Sequence, residues 1–175
     1  MLDFCSSFAT NAYFGGYPSK SEFMTLINEL NIQSFIDFTT LKERKNLLYN
    51  YEFDLVNMEN RDYINFCILD NKTPTCTPSF LRLIASISNK IKDGIPIYIH
   101  CKGGHGRSTL FVACILIYIN SYELNTSLEN TKIFHKNRKN LKEKYKNIEV
   151  PQCQCQRKYI SDIYSQILNK NYIKK

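Results

Sequence analysis

Ile95-Pro96-Ile97-Tyr98-Ile99-His100-Cys101-Lys102-Gly103-Gly104-His105-Gly106-Arg107-Ser108-Thr109-Leu110 decides the fold. Residues 95–99 are a short apolar run with proline only near its start, the pattern of a buried strand. Residues 109–122 are apolar nearly all round and free of proline and glycine, the pattern of a deeply buried helix. The loop between them carries three of the chain's six glycines. Glycine allows positive φ and close backbone approach, so successive N–H groups can turn toward a common centre. The loop ends at a helix N-terminus, where unpaired N–H groups and the helix dipole favour an anion.

Working outward, the same alternation repeats. Upstream, Thr77-Pro78 reads as a helix N-cap and first-turn proline, followed by Phe80, Ile84, Ile87 and Ile91 at helical spacing until Gly94. Residues 63–69 form a further β-prone run ending at Asp70, and residues 34–38 another short strand. Ser19-Lys20-Ser21-Glu22 has capping-box spacing, with Phe23, Leu26, Ile27 and Leu30 on one helical face. Downstream, residues 152–168 read as a last helix with Ile160, Ile163, Tyr164 and Ile167 inside. Strands alternating with helices predict a three-layer α/β fold with a central, mostly parallel five-stranded sheet flanked by helices. No repeat or linker composition interrupts residues 1–175, so one catalytic-type domain is expected.

The loop residues have chemistry to match. Arg107 offers a planar fork to phosphate oxygens. Cys101, at the other lip, sits where the loop's field favours a thiolate, a nucleophile facing a bound electrophilic phosphate. A Cys-x5-Arg spacing alone is weak, and Cys76 to Arg82 repeats it by chance, with no preceding strand, no glycine and a proline inside. The Cys101 copy adds a preceding histidine, ordered glycines, a following serine and strand–loop–helix context.

His-Cys-x-x-Gly-x-x-Arg-Ser, residues 100–108, resembles the signature of the cysteine-based protein tyrosine phosphatase superfamily, in particular its compact dual-specificity branch. Tyr13-Phe14-Gly15-Gly16-Tyr17-Pro18 is similar to the entry strand of such domains. Ile68-Leu69-Asp70 is similar to the end of the strand feeding the general-acid loop, although Cys67 stands where the family often has proline. Val150-Pro151-Gln152, with Gln156, is similar to the glutamine segment near the pocket of some members. The resemblance implies Cys101 as nucleophile, Arg107 and the amides of Lys102, Gly103, Gly104, His105 and Gly106 as phosphate ligands, and Asp70, thirty-one residues before Cys101, as general acid. It implies Ser108 as donor to the departing thiolate. His100 is expected to brace the loop through its backbone, since neighbouring strand residues face opposite sides and no Cys–His dyad forms. Gln152 is a candidate for holding the hydrolytic water; a plain helix-start glutamine is the competing reading.

The function expected is metal-independent and cofactor-free phosphomonoester hydrolysis through a cysteinyl-phosphate. The main reading is a dual-specificity protein phosphatase acting on phosphotyrosine and phosphoserine or phosphothreonine. A phosphoinositide phosphatase stays open because Lys102 and His105 put two candidate cations in the loop. So do an RNA 5′-triphosphatase and a non-catalytic phosphoprotein-binding module. The net charge of +7 suits an anionic partner. No nucleic-acid motif accompanies the basic residues Lys136, Arg138, Lys139, Lys142, Lys144 and Lys146, read as a solvated face beside the anion pocket. The longest apolar run is too short for a bilayer, no secretory leader opens the chain, and the seven cysteines read as reduced thiols, so a cytoplasmic protein is expected.

Overall fold

The computed structural model describes residues 2–169, in which one sheet contains β1 (Cys5–Ala9), β2 (Ala12–Gly15), β3 (Ser34–Asp37), β4 (Asp62–Asn65) and β5 (Ile97–His100) in the order β1-β2-β5-β3-β4. β1 pairs antiparallel with β2, and the other pairings are parallel. The helices are α1 (Lys20–Asn28), α2 (Leu41–Lys45), α3 (Glu52–Leu55), α4 (Thr77–Lys92), α5 (Arg107–Asn120), α6 (Leu124–Lys136), α7 (Glu143–Lys146) and α8 (Gln154–Asn169). None of the described helices is long and apolar enough to cross a membrane.

Side-chain alternation along the central strand builds the layers. Ile97 and Ile99 join a core with Phe80 and Ile84 of α4, Phe111 and Ile115 of α5, and Ile163 of α8. Tyr98 points to the opposite face, against Phe23 and Leu26 of α1 and Leu55 of α3. In β3, Ile36 and Phe35 divide between the same two cores. The expected three-layer α/β architecture with a mostly parallel five-stranded sheet is the one observed.

Element ends differ from the sequence reading in instructive ways. β4 covers Asp62–Asn65, not residues 63–69. Phe66 and Ile68 still donate to Asp37 and Phe38 carbonyls, but the segment peels away because the Ile68 carbonyl turns to accept from Arg107. Cys76, not Thr77, is the N-cap of α4, which puts Pro78 in the first turn where its missing N–H has no helical partner. The start of α5 is two residues earlier than expected, so Arg107 and Ser108 lie in its first turn.

α5 is the axle of the fold: residues 107–118 are all buried, between the sheet and α4, α6 and α8. Phe111 is fully buried and meets the rings of Phe38 and Phe80 at 5.0 and 5.6 Å. Phe111→Ala is expected to destabilise the protein by about 3–5 kcal/mol, read as a lowered urea midpoint, because the surrounding rings cannot collapse into the space. A loss below about 1 kcal/mol would mean the core closes over it.

Candidate active site

Parallel strands carry ligands beyond their carboxyl ends. Here β5 lies between β2 and β3, with His100 level with Gly15 and Asp37, so Cys101 emerges at the centre of that edge. The loop after it is held from outside by its carbonyls. Cys101 O lies 3.3 Å from His100 Nδ1, Lys102 O accepts from Tyr17 N at 3.0 Å, and Gly103 O and Gly104 O accept from Arg138 at 3.4 and 3.0 Å. His105 O accepts from Gln152 N at 3.0 Å, and Gly106 O accepts from Leu110 N at 2.8 Å. With the carbonyls tied outward, the N–H groups are left to the interior. Gly104 N–H donates to Cys101 Sγ at 3.3 Å. Gly104 has φ +77°, and a Cβ there would come within 2.5 Å of the Gly15 backbone and 2.6 Å of Arg138 Nη1, so only glycine fits.

Cys101 is buried, and its Sγ lies 3.6 Å from Ser108 Oγ, the group expected to donate to it. Arg107 is 2% exposed. Its Nη1 donates to Glu43 Oε2 at 2.8 Å and Ile68 O at 2.9 Å. Its Nη2 donates to Glu43 Oε1 at 2.7 Å and stands 3.1 Å from Asp70 Oδ1. Glu43 thus grips one edge of the guanidinium, leaving the Nε–Nη2 edge for a ligand. Burial opposes the Arg107 charge, but the Glu43 hydrogen bonds, with Cys101 and the carboxylates, outweigh it and raise the pKa above the ordinary range. Burial alone would raise the Glu43 carboxyl, yet bonds from Arg107 and Thr40 win and hold it at about 2.

Glu43 was not among the residues singled out from sequence. Its local signal is Thr40-x-x-Glu43, a capping box at the start of α2, in which Glu43 Oε2 accepts from Thr40 N at 2.9 Å. Nothing local announces that the same carboxylate also grips an arginine 64 residues away.

His100 faces away from the sulfur, into the α1 side of the sheet. Its Nε2 lies 2.5 Å from Tyr51 Oη, which keeps its proton because burial, then Asp37, raises its pKa well above normal. Burial likewise lowers the His100 pKa against the opposing pull of Asp37. Nε2 of the neutral ring therefore accepts from Tyr51, and Nδ1–H is directed to Cys101 O.

A cleft of about 340 Å³ opens above the loop, lined among others by Cys101, Arg107, Asp70, His105, Tyr145 and Gln152. The Asp70 side chain is 66% exposed on its rim. Gln152 reaches the cleft, and its backbone braces His105. Gln156 is buried, bonds Lys72 O at 2.9 Å and packs against Gly106, tying α8 to both the acid-bearing turn and the loop. Cys153 Sγ and Cys155 Sγ reach Oδ1 and O of Asn71, beside Asp70.

Of the two cations expected at the mouth, Lys102 is exposed as expected and His105 is arranged otherwise. His105 stacks on Tyr145 at 3.9 Å between centroids and puts Nδ1 2.8 Å from His135 Nε2. Burial, then Arg138 and Lys144, lower its pKa to about 4; burial, then Arg138 and His105, lower that of His135 to about 3. Both rings are neutral near pH 7, so His105 is no second cation. Arg138 is not on a solvated face but 5% exposed beneath the loop. Lys102 remains exposed.

Comparison with known proteins identifies the family and the fold. The chain matches the family described as "Dual specificity phosphatase, catalytic domain" over residues 12–150. A protein of Invertebrate iridescent virus 3 named "Putative tyrosine phosphatase 067L" is 31% identical over 163 residues, 91% of this chain and 65% of that one. The chain thus spans just under two thirds of that relative's length. Among solved structures, Tk-PTP in the active form superposes with a TM-score of 0.75 at 16% identity, covering 95% of this chain and 99% of the other. PTPMT1 in complex with PI(5)P gives 0.69 at 17% identity, covering 94% and 99%. At such identities the likeness concerns the fold.

The histidine pair generates a stability prediction. In the unfolded chain both rings bind protons below their ordinary pKa of 6.5, whereas in the folded protein they do so only near 4 and 3. The unfolded state then holds more protons, so stability falls as pH drops from about 6.5 toward 4. Urea midpoints measured across that range should fall less steeply in His105→Gln/His135→Gln. An identical slope in both proteins would show that the pair titrates normally.

Proposed function

Because the chain belongs to the dual-specificity phosphatase family, we propose that it hydrolyses phosphomonoesters on proteins, phosphotyrosine together with phosphoserine or phosphothreonine, through a cysteinyl-phosphate. The observation that carries this reading is the loop whose carbonyls are all bonded outward, with Cys101 Sγ under the Gly104 N–H and Arg107 at its far end. Such a cradle is complementary to the equatorial oxygens of a transferring phosphoryl group.

In the first step Cys101 Sγ attacks phosphorus, the P–O bond breaks, and Asp70, which takes up a proton from solvent once substrate displaces it from Arg107, gives that proton to the leaving oxygen. Phosphate oxygens take the Nε–Nη2 edge of Arg107, which releases Asp70 from Nη2 toward the leaving group. In the second step the Asp70 carboxylate accepts a proton from water. The water oxygen attacks phosphorus and the S–P bond breaks, while Ser108 Oγ donates to the departing thiolate. Glu43 fixes the guanidinium plane throughout, and the amides of Lys102 to Arg107 hold the oxygens. Nucleophile, acid and cation all come from the chain itself, so the route needs no metal or cofactor.

The protein-phosphatase reading is favoured over the phosphoinositide one by the state of His105. A polyphosphorylated headgroup would meet Lys102 but no imidazolium, since that ring is neutral and stacked on Tyr145.

Cys101→Ser should fold, bind phosphorylated peptide and turn over less than about a hundredth of the wild-type rate, because an alcohol does not ionise at working pH. Turnover above that would end the covalent mechanism. Asp70→Asn should slow phosphotyrosine peptide far more than an activated aryl phosphate, whose leaving group needs little protonation. Equal losses would make Asp70 a structural residue. Glu43→Gln should lower kcat/KM by about 10–100-fold, the worth of a charge-assisted pair of roughly 1.5–3 kcal/mol. A change under twofold would show that Arg107 holds its plane unaided.

A further inference from the structure

Arg138 lies just after α6, 5% exposed, behind the loop and away from the substrate side. Its Nη1 and Nη2 donate to Gly103 O and Gly104 O, and its buried Nε has no hydrogen-bond partner among the described residues. Unlike Arg107, it is within ion-pair distance of no carboxylate among them. Burial lowers its pKa, and the groups opposing that shift are Tyr98, Cys101 and Cys5. Tyr98 and Cys5 are themselves protonated near neutrality, since burial raises one well above normal and the other to about 12. Cys101, the third of these groups, is joined to Arg138 through the loop itself.

The connection between them is a single peptide unit. Gly103 O, which accepts from Arg138, and Gly104 N–H, which donates to Cys101 Sγ, are the two ends of one amide plane. We propose that Arg138 is a positioning residue for the nucleophile: it fixes and polarises the Gly103–Gly104 peptide so that its positive end is held against Sγ, stabilising the Cys101 thiolate from behind. The guanidinium draws electron density toward the carbonyl, which strengthens the N–H donor at the opposite end. The fixed cation also adds its own field inside a poorly screened interior. Glycine at 104 lets the plane turn this way, because its φ of +77° and its contact with Gly15 leave no room for a side chain.

Other groups face Cys101 as well. Arg107 and Ser108 come from α5 and Lys102 from the loop, while neutral His100 and protonated Tyr98 of β5 turn to the other face of the sheet. Asp70 and Glu43 approach from the acid-bearing turn and α2, both engaged on Arg107. Arg138 is distinguished from Arg107 by reaching no phosphate, so its removal separates thiolate stabilisation from substrate binding.

The experiment is the pH dependence of Cys101 alkylation by iodoacetamide, followed by mass spectrometry of the Cys101 peptide because six other cysteines are present. Wild type, Arg138→Lys and Arg138→Gln are compared, with circular dichroism to check folding. The midpoint of the rate–pH curve should rise in that order, by about one unit for Arg138→Gln, at an unchanged high-pH plateau. Lysine keeps the charge but reaches only one carbonyl, hence its intermediate place. An unchanged midpoint in Arg138→Gln, with rates reduced equally at all pH values, would show that Arg138 only shapes the loop and would overturn the proposal. If the glutamine protein does not fold, Arg138→Lys decides: a midpoint above wild type supports the relay, and one equal to it overturns it. The inference rests on the proposed phosphatase reading for its purpose, but alkylation needs no turnover. A wild type that cleaves no phosphate ester would sink that reading and leave the relay to be judged by its own midpoint.

Discussion

A peptide unit whose carbonyl is bonded outward must turn its N–H inward, and this constraint governs the loop from Cys101 to Gly106. Its six carbonyls are held by five residues from different parts of the chain: His100 on β5, Tyr17 after β2, Arg138 after α6 (which takes two), Gln152 before α8 and Leu110 on α5. The sheet order makes this possible, because it brings the ends of β2 and β3 to either side of β5. The burial of α5 anchors the loop's far end. An inward-facing ring of amides is thus a property of the whole fold. Any element that drifts releases at least one carbonyl and one point of the ring.

The fold answers its two buried guanidiniums differently. Arg107 is neutralised by a paired carboxylate from α2, with Ile68 O also on Nη1, so its direction is fixed before a ligand reaches the Nε–Nη2 edge. Arg138 is given backbone carbonyls, whose partial charges satisfy hydrogen bonds without cancelling a full charge. One cation is therefore charge-paired and rigid, the other bonded only to carbonyls and without a carboxylate among the described residues. Both lie at the floor of the same loop, one in front of it and one behind.

What the sequence disclosed follows the range of the interactions. The strand, loop and helix around Cys101 were legible because periodicity and glycine spacing are local, and the layered α/β order followed from repeating them. Asp70 and the loop residues were legible through a resemblance carried by a contiguous motif. Glu43 was half legible: Thr40-x-x-Glu43 marks a helix start, but its grip on Arg107 is a tertiary fact. Arg138 sits among lysines and reads as surface until Gly15, Tyr98 and the loop close over it. His105 reads as a cation until Tyr145 and His135 remove it from water. β4 ends early for the same reason, since the demand of Arg107 for the Ile68 carbonyl overrides the β propensity of residues 66–69.

The contact of Asp70 with Arg107 Nη2 has a thermodynamic consequence of its own. That carboxylate serves as a placeholder anion, so the uptake of an oxyanion at this edge is an exchange of one negative group for another. Affinity for inorganic phosphate or sulfate then reports a difference between two anions' attractions for the same guanidinium, which compresses the range over which simple oxyanions can be discriminated. A phosphate ester differs in one respect: the displaced Asp70, once it has taken up a proton, can donate to the bridging oxygen, which free phosphate does not offer. On the proposed function, this resting arrangement would favour esters over free phosphate, and the return of Asp70 to Arg107 would assist product release.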